Sequence, residues 1–237
     1  MSDQAALTRP AAPTGEVHKQ SRSAETRAKI IQAAEKLFAR RSFASVSMRE
    51  ITGEAGVALA AAHYHFGSKE DLFRAVFLRR ARDLNRERFE LLRQAADSAG
   101  PGVVPLRTVL NALLRPGVRW SFDEGGRGLF IQFLERGHLD QDSPIYDTLH
   151  NDTSHLKRFI PYLQAVLPEL SPADIFWRLH FSLGALHYTI TSLSRLNSLS
   201  EGVCNTNNFE ETLDRIIDYV EAGFRTLPRP HQISAIQ

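Results

Sequence analysis

Hydrophobic residues recur at helical spacing along most of the chain. No run alternates apolar and polar residues between turn signals in the way a strand would. The pattern therefore predicts an all-α fold. A first helix is predicted over residues 24–40, where one face carries a set of regularly spaced apolar side chains. That set is Ile30, Ile31, Ala34, Leu37 and Phe38.

Two short helices and one long helix are predicted next. Ser47 and Glu50 have the spacing of a capping box, which predicts a helix start. Gly56 then interrupts this helix, because glycine readily takes the left-handed conformation of a tight turn. A third helix is predicted to end near residue 64. The fourth starts after Ser68, which can cap it, and runs to about residue 96.

The remainder of the chain predicts five further helices in a larger C-terminal domain. They are expected at residues 105–122, 127–138, 144–167, 172–197 and 208–226, and Pro116 and Pro161 should kink or break two of them. The predicted division is a disordered arm at 1–20, a small helical domain at 21–67, a larger helical domain at 68–228 and a flexible tail at 229–237.

Charge and cysteine content narrow the class of protein. Residues 1–97 hold seventeen Lys and Arg against twelve Asp and Glu, whereas the remainder holds twelve against fifteen. The basic N-terminal part favours a polyanionic partner there. Cys204 is the single cysteine, and the 237 residues show no signal peptide and no charge-free stretch long enough to cross a bilayer. A cytoplasmic protein without a membrane segment is expected.

Three helices with a glycine turn between the second and third are typical of a helix-turn-helix, whose third helix can enter the major groove of DNA. The ordered string Ser47-x-x-x-Ile51-x-x-x-Ala55-Gly56-Val57, followed by Tyr64-His65-Phe66-Gly67-Ser68-Lys69-Glu70-x-Leu72, resembles the TetR family of transcriptional regulators. The resemblance covers about residues 24–78. It implies a regulator that binds a pseudo-palindromic operator as a dimer and is released by a small molecule.

The resemblance also implies which residues meet double-stranded DNA. Ser47 would touch phosphate, Arg49 would reach backbone or base, residues 58–65 would face the groove, and Lys69 would meet phosphate. The candidate DNA-binding residues are Ser47, Arg49, Ala58, Leu59, Ala60, Ala61, His63, Tyr64, His65 and Lys69. The recognition helix departs from the usual family pattern, with Ala58 in place of a Ser or Thr cap and His63 in place of Tyr. Its few polar groups predict phosphate positioning, thymine-methyl contacts and DNA shape as the basis of recognition.

The last two predicted helices are candidates for a homodimer interface. Each has an apolar stripe, and two such helices from each subunit can form a four-helix bundle, with Gly184 and Gly223 allowing close approach. The candidate interface residues are Leu186, Ile190, Leu213, Ile216, Ile217, Val220 and Phe224. The alternative is that both helices complete the core of a monomer. A second stripe on the first of these helices contains Trp177, Phe181, Ala185 and Tyr188.

An effector pocket is expected among the aromatic residues of the C-terminal domain, with an apolar or acyl ligand. The candidate pocket residues are Trp120, Phe130, Phe133, Trp177, His180, Phe181 and Gly184. Two segments are similar to the branch of the family associated with acyl or fatty-acid metabolism: Phe130-x-x-Phe133-Leu134-Glu135-Arg136, and residues 176–186. His180 and His187 fit a hydrogen-bonded core better than a metal site.

Other functions are less consistent with the sequence. No GxSxG, HExxH, Walker or dinucleotide-binding motif is present, so we expect no enzyme activity and no cofactor. The arginines at positions 79, 80, 82, 86 and 88 alternate with acids and predict a solvated face of ion pairs. The competing hypothesis is a helical carrier of hydrophobic ligands that does not bind DNA specifically.

Overall fold

The computed structural model describes residues 14–139, 144–146 and 152–227, and these residues form helices joined by turns and loops, without a strand. The all-α prediction is confirmed. The helices among the described residues are α1 (Thr14–Arg40), α2 (Met48–Ala55), α3 (Leu59–Phe66), α4 (Lys69–Ala99), α5 (Leu106–Ser121), α6 (Gly126–Leu139), α7 (Ser154–Lys157), α8 (Ile160–Val166), α9 (Pro172–Leu199) and α10 (Phe209–Arg225).

Most predicted boundaries lie within a few residues of the observed ones, and the start of α1 differs more. Helix α1 begins at Thr14, so residues 14–20, predicted as part of a disordered arm, are helical. Apolar periodicity is needed to bury a helix but not to extend one, because adding a residue to an existing helix avoids the cost of nucleation. Residues 1–13 and the predicted tail at 229–237 lie outside the described residues.

The predicted helix at 144–167 is also different. Its described part consists of the short helices α7 and α8, and residues 147–151 lie outside the described part of the chain. Pro161 occupies the first turn of α8, where its missing N–H leaves no helical hydrogen bond unmade. By contrast, α5 runs without interruption through Pro116, which is buried.

The buried hydrophobic residues form two clusters, and α4 contributes to both. One cluster fills the bundle made by the C-terminal part of α4 with α5, α8, α9 and α10. The other joins α1, α2, α3 and the N-terminal part of α4 to α6. In this second cluster, Phe38 of α1 and Phe73 of α4 meet Phe133 of α6, with ring centroids 6.5 and 4.7 Å away from that of Phe133. The helix-turn-helix therefore shares a core with the larger helical region.

Candidate nucleic-acid interface and C-terminal surfaces

The start of α2 has the capping box that its sequence predicts. The Glu50 amide donates to the Ser47 hydroxyl oxygen at 3.2 Å, and the Ser47 amide donates to the Glu50 carboxylate at 2.8 Å. Arg41 adds an ion pair to Glu50 at 2.8 Å. The Arg41 bond, followed by the bonds from the Ser47 amide and hydroxyl, lowers the pKa of Glu50 to about 2. These bonds fix the entry to α2 on the exposed surface.

The connection between α2 and α3 is a tight turn at Gly56. Its backbone is left-handed (φ 64°, ψ 37°), and its amide donates to the carbonyl of Gly53 at 3.2 Å. Side chains with a Cβ rarely adopt this conformation, which explains the glycine. Helix α3 then starts at Leu59 after Ala58, whose side chain makes no capping hydrogen bond. The Ala61 amide donates to the Ala58 carbonyl at 3.0 Å, so without a Ser or Thr cap it is the amides of Leu59 and Ala60 that are available to another acceptor.

One face of α3 is buried and the opposite face is open. Ala62 and Phe66 pack in the shared core, whereas the Tyr64 side chain is 83% exposed. The residues predicted to face DNA lie on the open side or at its margins: Ala58, Ala60, His63 and Tyr64 are exposed, and Leu59, Ala61 and His65 are half-buried. Every one of these seven predicted residues therefore keeps some accessible surface, with the exposed ones around Tyr64.

Polar groups on this surface are few. His63 Nδ1 lies 2.9 Å from the Gly67 carbonyl oxygen, and since a carbonyl only accepts, Nδ1 carries the proton. The Nε2 atom of His63 then remains for an outside partner. Tyr64 and His65 meet edge to face, with ring centroids 5.2 Å apart. The surface therefore presents methyl groups, one phenol and two imidazoles.

The ammonium of Lys69, which the sequence predicts to meet phosphate, is bonded within the protein. Its Nζ donates to the carbonyl oxygens of Phe43 and Val46, each at 3.0 Å, and lies 4.1 Å from the centre of the Phe43 ring. These carbonyls belong to the loop between α1 and α2 and are close enough to satisfy the ammonium locally. These interactions give Lys69 a structural role and use two of the three N–H groups of its ammonium, and the phosphate contact stays a prediction.

The N-terminus of α4 also has an internal acceptor. Ser68 caps it, with the Asp71 amide donating to the Ser68 hydroxyl at 3.0 Å, as predicted. The Ser68 hydroxyl in turn donates to the Asp71 carboxylate at 2.7 Å. A carboxylate in the first turn already interacts favourably with the helix dipole. Arg49 on α2 differs from Lys69, because its side chain is exposed and makes no ion pair with any described residue.

The seven predicted pocket residues occupy two separate places. Trp120, Phe130 and Phe133 are at most 1% exposed and lie within the core shared with the helix-turn-helix. The Trp120 indole N–H donates to the Glu87 carboxylate at 3.1 Å. These three side chains are packed against other rings, and the structure does not support their assignment to an open pocket.

The other predicted pocket residues lie on an exposed face of α9. Trp177 and Phe181 are 61% and 63% exposed, and their rings stack with centroids 5.6 Å apart. His180 is exposed beside them, so it is not the core histidine that the sequence favoured. A Cβ added at Gly184 would meet nothing within 4 Å. We call the exposed group Phe176, Trp177, His180, Phe181, Gly184 and Tyr188 the aromatic face.

The predicted dimer residues are turned the other way. Leu213, Ile216, Ile217, Val220 and Phe224 of α10 and Leu186 of α9 are at most 6% exposed, and Ile190 is half-buried. They pack within the protomer, which agrees with the alternative prediction that both helices complete the core of a monomer. Both stripes of α9 are apolar. The stripe with Leu186 and Ile190, predicted to meet a partner subunit, packs instead on α5 and α10 of the same protomer.

The arginine-rich stretch of α4 is less solvated than predicted. Arg86 pairs with Asp83 at 2.6 Å on the surface, as an ion-pair face would. Arg80 instead is half-buried and binds the buried Glu35 carboxylate of α1, with its Nε donating at 2.5 Å and its Nη2 at 2.9 Å. These bonds raise the pKa of Arg80. Arg88 is buried without an acidic partner among the described residues.

Membrane-spanning helices and metal clusters are both absent from the described part of the chain. The described residues contain no helix that is both long and apolar enough to span a membrane. They also contain no group of three or more His, Cys, Asp or Glu side chains placed to hold a metal ion.

Comparison with known families gives two matches along the chain. Residues 30–76 match the model for bacterial regulatory proteins of the tetR family. Residues 111–223 match a model for tetracyclin repressor-like C-terminal domains. The first match covers the helix-turn-helix and the second covers α6 to α9 with most of α5 and α10, so about two thirds of the chain is included.

Individual proteins show the same relationship. The HTH-type transcriptional repressor BepR of Brucella suis is 29% identical over 131 residues, which are 54% of this chain and 58% of BepR. Among solved structures, PfmR, a TetR family transcriptional regulator of Thermus thermophilus, superposes with a TM-score of 0.55 and 18% identity over 84% of this chain and 99% of its own. NalD of Pseudomonas aeruginosa, the secondary repressor of the MexAB-OprM multidrug efflux pump, gives a TM-score of 0.55 and 18% identity over 86% and 97%.

Proposed function

Because the chain belongs to the TetR family of transcriptional regulators, we propose that it binds a pseudo-palindromic DNA operator as a homodimer and represses transcription until a small-molecule effector releases it. The observation that carries this proposal is the open face of α3 around Tyr64. Its other side is fixed in the core by Ala62 and Phe66. A helix held in this way can be presented rigidly to the major groove, which is about 12 Å wide.

The chemistry of α3 favours recognition with few hydrogen bonds. The exposed and half-buried alanines can contact thymine methyl groups, and Leu59 can do the same from the first turn. Tyr64 and His63 supply the polar contacts. The remaining specificity then comes from phosphate contacts that set the register and from the deformability of the operator. Ser47 and Arg49 at the start of α2 are the phosphate-contacting candidates that remain exposed.

The aromatic face supports a homodimer. A cluster of exposed Trp, Phe and Tyr side chains on one helix is apolar surface that a monomer would leave in water. Tyr219, on the neighbouring helix α10, is a further exposed aromatic side chain at 73%. The open space at Gly184 and Gly223 allows the helices of a second copy to approach closely. A two-fold dimer that reads a palindrome must hold its two α3 helices about 34–36 Å apart, the spacing of half-sites one helical turn apart.

The proposal also specifies that the protein represses transcription and that an effector releases it from DNA. The names of BepR and NalD describe those proteins as repressors, which favours the same direction of control here. An effector releases DNA only to the extent that it binds the released conformation more tightly, and operator DNA must then weaken effector binding by the same factor. A carrier of hydrophobic ligands would show no such coupling.

Selection from random DNA identifies the operator and tests the proposal. Repeated selection of duplexes from a random pool by the full-length protein should enrich an inverted repeat whose half-site centres are about one helical turn apart. Affinity for that repeat should fall steeply with salt, because bound phosphates release counterions. If selection enriches no sequence over random duplex, the proposal is wrong.

Tyr64→Ala tests the surface itself. Tyr64 is 83% exposed, so its truncation should leave the midpoint of thermal unfolding nearly unchanged while reducing operator affinity at least tenfold. Val203→Ala is the matched control, since Val203 is 87% exposed in the connection between α9 and α10. Equal losses of affinity in the two variants would contradict an interface at α3.

A further inference from the structure

A cleft of about 990 Å³ opens to solvent between the C-terminal half of α4 and the segment containing α7 and α8. None of the seven predicted pocket residues lines it. Its volume is at the upper end of the range for small-molecule sites in proteins. Its walls combine apolar and cationic side chains in an arrangement that selects one class of ligand.

The apolar part of the cleft is built on Phe89 of α4. The Phe89 ring packs against Phe159, with centroids 6.4 Å apart, and the guanidinium of Arg158 lies over it at 4.3 Å. Leu92 and Tyr162 also line the cleft. A hydrophobic body of moderate size could therefore be covered on two sides while its polar end remains near Arg158.

The charges lining the cleft leave an excess of positive charge. The two lining acids, Glu90 and Asp97, both bind Arg93 at 2.7 Å, so one arginine satisfies both. Arg82 and Arg158 line the cleft and form no ion pair with any described residue. Two guanidinium groups are thus available to an anion that enters from solvent.

Arg88 adds a positive charge behind the wall. It is 7% exposed and hydrogen-bonds neutral groups, namely the Leu113 carbonyl at 3.0 Å and the Asn85 side-chain oxygen at 3.2 Å. Burial lowers its pKa to about 10, which still leaves it charged at neutral pH. The pKa of His155, which lines the cleft, is lowered first by its own burial and then by the charge of Arg88, whereas the nearby Asp152 carboxylate acts in the opposite direction. The charge of Arg88 therefore reaches a side chain that lines the cleft.

We propose that this cleft is the effector site and that the effector is an organic anion, a carboxylate carried on an apolar body. The carboxylate binds between Arg82 and Arg158, and the body lies against Phe89 and Tyr162. This inference rests on the proposed function, since it names the ligand class of the proposed regulator. The sequence predicts an apolar or acyl ligand, and the charge of the cleft narrows this prediction to a ligand that carries an anionic group.

The position of the cleft gives the ligand access to the DNA-binding region. Helix α4 is continuous from Lys69 to Ala99, a length of about 46 Å at 1.5 Å per residue. One end of α4 holds the loop before α2 through Lys69, and the other end forms a wall of the cleft. A ligand held between α4 and the α7–α8 segment can favour one position of α4, which moves the two α3 helices of a dimer relative to each other.

Paired probes separate the charge from the apolar body. Isothermal titration of the full-length protein with octanoate and 1-octanol, and with 2-naphthoate and 2-naphthalenemethanol, compares each carboxylate with a neutral molecule of similar shape. We expect at least one carboxylate to bind tenfold or more tightly than its alcohol, and its affinity to decrease with added salt. Equal affinities within both pairs, or no binding of either carboxylate at millimolar concentration, would overturn the proposal.

Variants locate the site. Arg82→Gln combined with Arg158→Gln should weaken carboxylate binding at least tenfold. The matched control is Arg79→Gln combined with Lys157→Gln, which removes the same charge from neighbouring exposed positions that do not line the cleft. Equal weakening in both double variants would show that only the overall charge matters, and the site would be wrong.

Operator binding distinguishes this proposal from the one on which it rests. Once an operator duplex has been selected, its affinity for the protein can be measured with and without the carboxylate. The carboxylate should reduce operator affinity for the wild-type protein and should not change it for the Arg82/Arg158 double variant. Carboxylate binding without any change in operator affinity would overturn the effector assignment and leave the DNA-binding proposal intact. Failure to select any operator would instead reject the DNA-binding proposal itself.

Discussion

The ammonium of Lys69 is held by two carbonyl oxygens and one aromatic ring of the loop between α1 and α2. At the scale of single residues, such interactions decide whether a charge on a DNA-binding domain meets phosphate or stabilises the domain. Glu50 is a second case, because its carboxylate is bonded by Arg41 and by Ser47 at the start of α2. Both residues fix the geometry from which α3 is presented.

Lys69→Met should destabilise the fold by about 1–3 kcal/mol, because it removes hydrogen bonds from a charged donor to two carbonyls. Equilibrium unfolding in urea at fixed protein concentration measures this change. A direct phosphate contact predicts a different result, with unchanged stability and a salt dependence of operator binding reduced by about one counterion.

Glu50→Gln should change the pH dependence of stability. The pKa of Glu50 is lowered from 4.5 to about 2 in the folded chain, so its charge contributes stability that is present above about pH 4.5 and is lost as the pH falls toward 2. The midpoint of thermal unfolding of the variant, measured from pH 6 to pH 2, should therefore fall less than that of the wild type. Parallel curves for the two proteins would contradict a charged capping box.

At the scale of elements, α2 and α3 differ in how their starts are satisfied. Helix α2 has a complete capping box, whereas Ala58 gives α3 no side-chain cap. Helix α3 has only eight residues, and isolated helices of that length are marginal in water. Packing of Ala62 and Phe66 against the core therefore holds α3 in place.

Ala58→Ser should supply the missing cap. Ala58 has an extended backbone (φ −68°, ψ 144°), which suits an N-cap residue, so the serine hydroxyl can accept from an amide in the first turn. We expect stabilisation of about 1 kcal/mol in urea unfolding. Ala60→Ser is the control, because its hydroxyl lies inside the helix and should give no gain. Equal effects of the two serines would contradict the capping explanation.

At the scale of the whole molecule, α4 and α6 make one structure of the two regions. Residues of α6 pack in the same core as α1, and the ion pair between the buried Glu35 and the half-buried Arg80 links α1 to α4. The helix-turn-helix is therefore positioned by the larger helical region. The aromatic face of α9 lies on the surface of that same region, so pairing two copies there would set the distance between two α3 helices.

Phe181→Glu should convert the proposed dimer to monomers. Phe181 is 63% exposed in the protomer, so the charge costs little there but would be buried without a partner in the dimer. Light scattering coupled to size-exclusion chromatography should report the monomer mass, and operator affinity should fall at least tenfold. Val103→Glu, at a residue 56% exposed before α5, should remain dimeric.

Ile217→Ala tests the same assignment from the opposite side. Ile217 is 2% exposed within the protomer, so its truncation should destabilise the fold by about 2–5 kcal/mol. Two results together would instead favour the interface predicted from the sequence: the Phe181→Glu variant remains a dimer, and the Ile217→Ala variant is stable and monomeric.

The sequence alone determined the features that depend on residues three or four positions apart. The capping box at Ser47, the left-handed turn at Gly56 and the exposed tip at Tyr64 each follow from local spacing. The all-α fold follows from the same periodicity, and so does the order of the main helices. Each of these features is set by residues close in the sequence, because a helical hydrogen bond joins residues only four positions apart.

Only the tertiary structure decided which surfaces are covered. The two stripes of α9 are both apolar, and nothing within α9 tells which one meets α5 and α10 and which one, with Trp177, stays outside. The contacts of Lys69 could not be predicted from local spacing either, because its partners Phe43 and Val46 lie 26 and 23 residues away in the sequence. Periodicity gives the faces of a helix, but burial depends on the neighbours that the folded chain brings to each face.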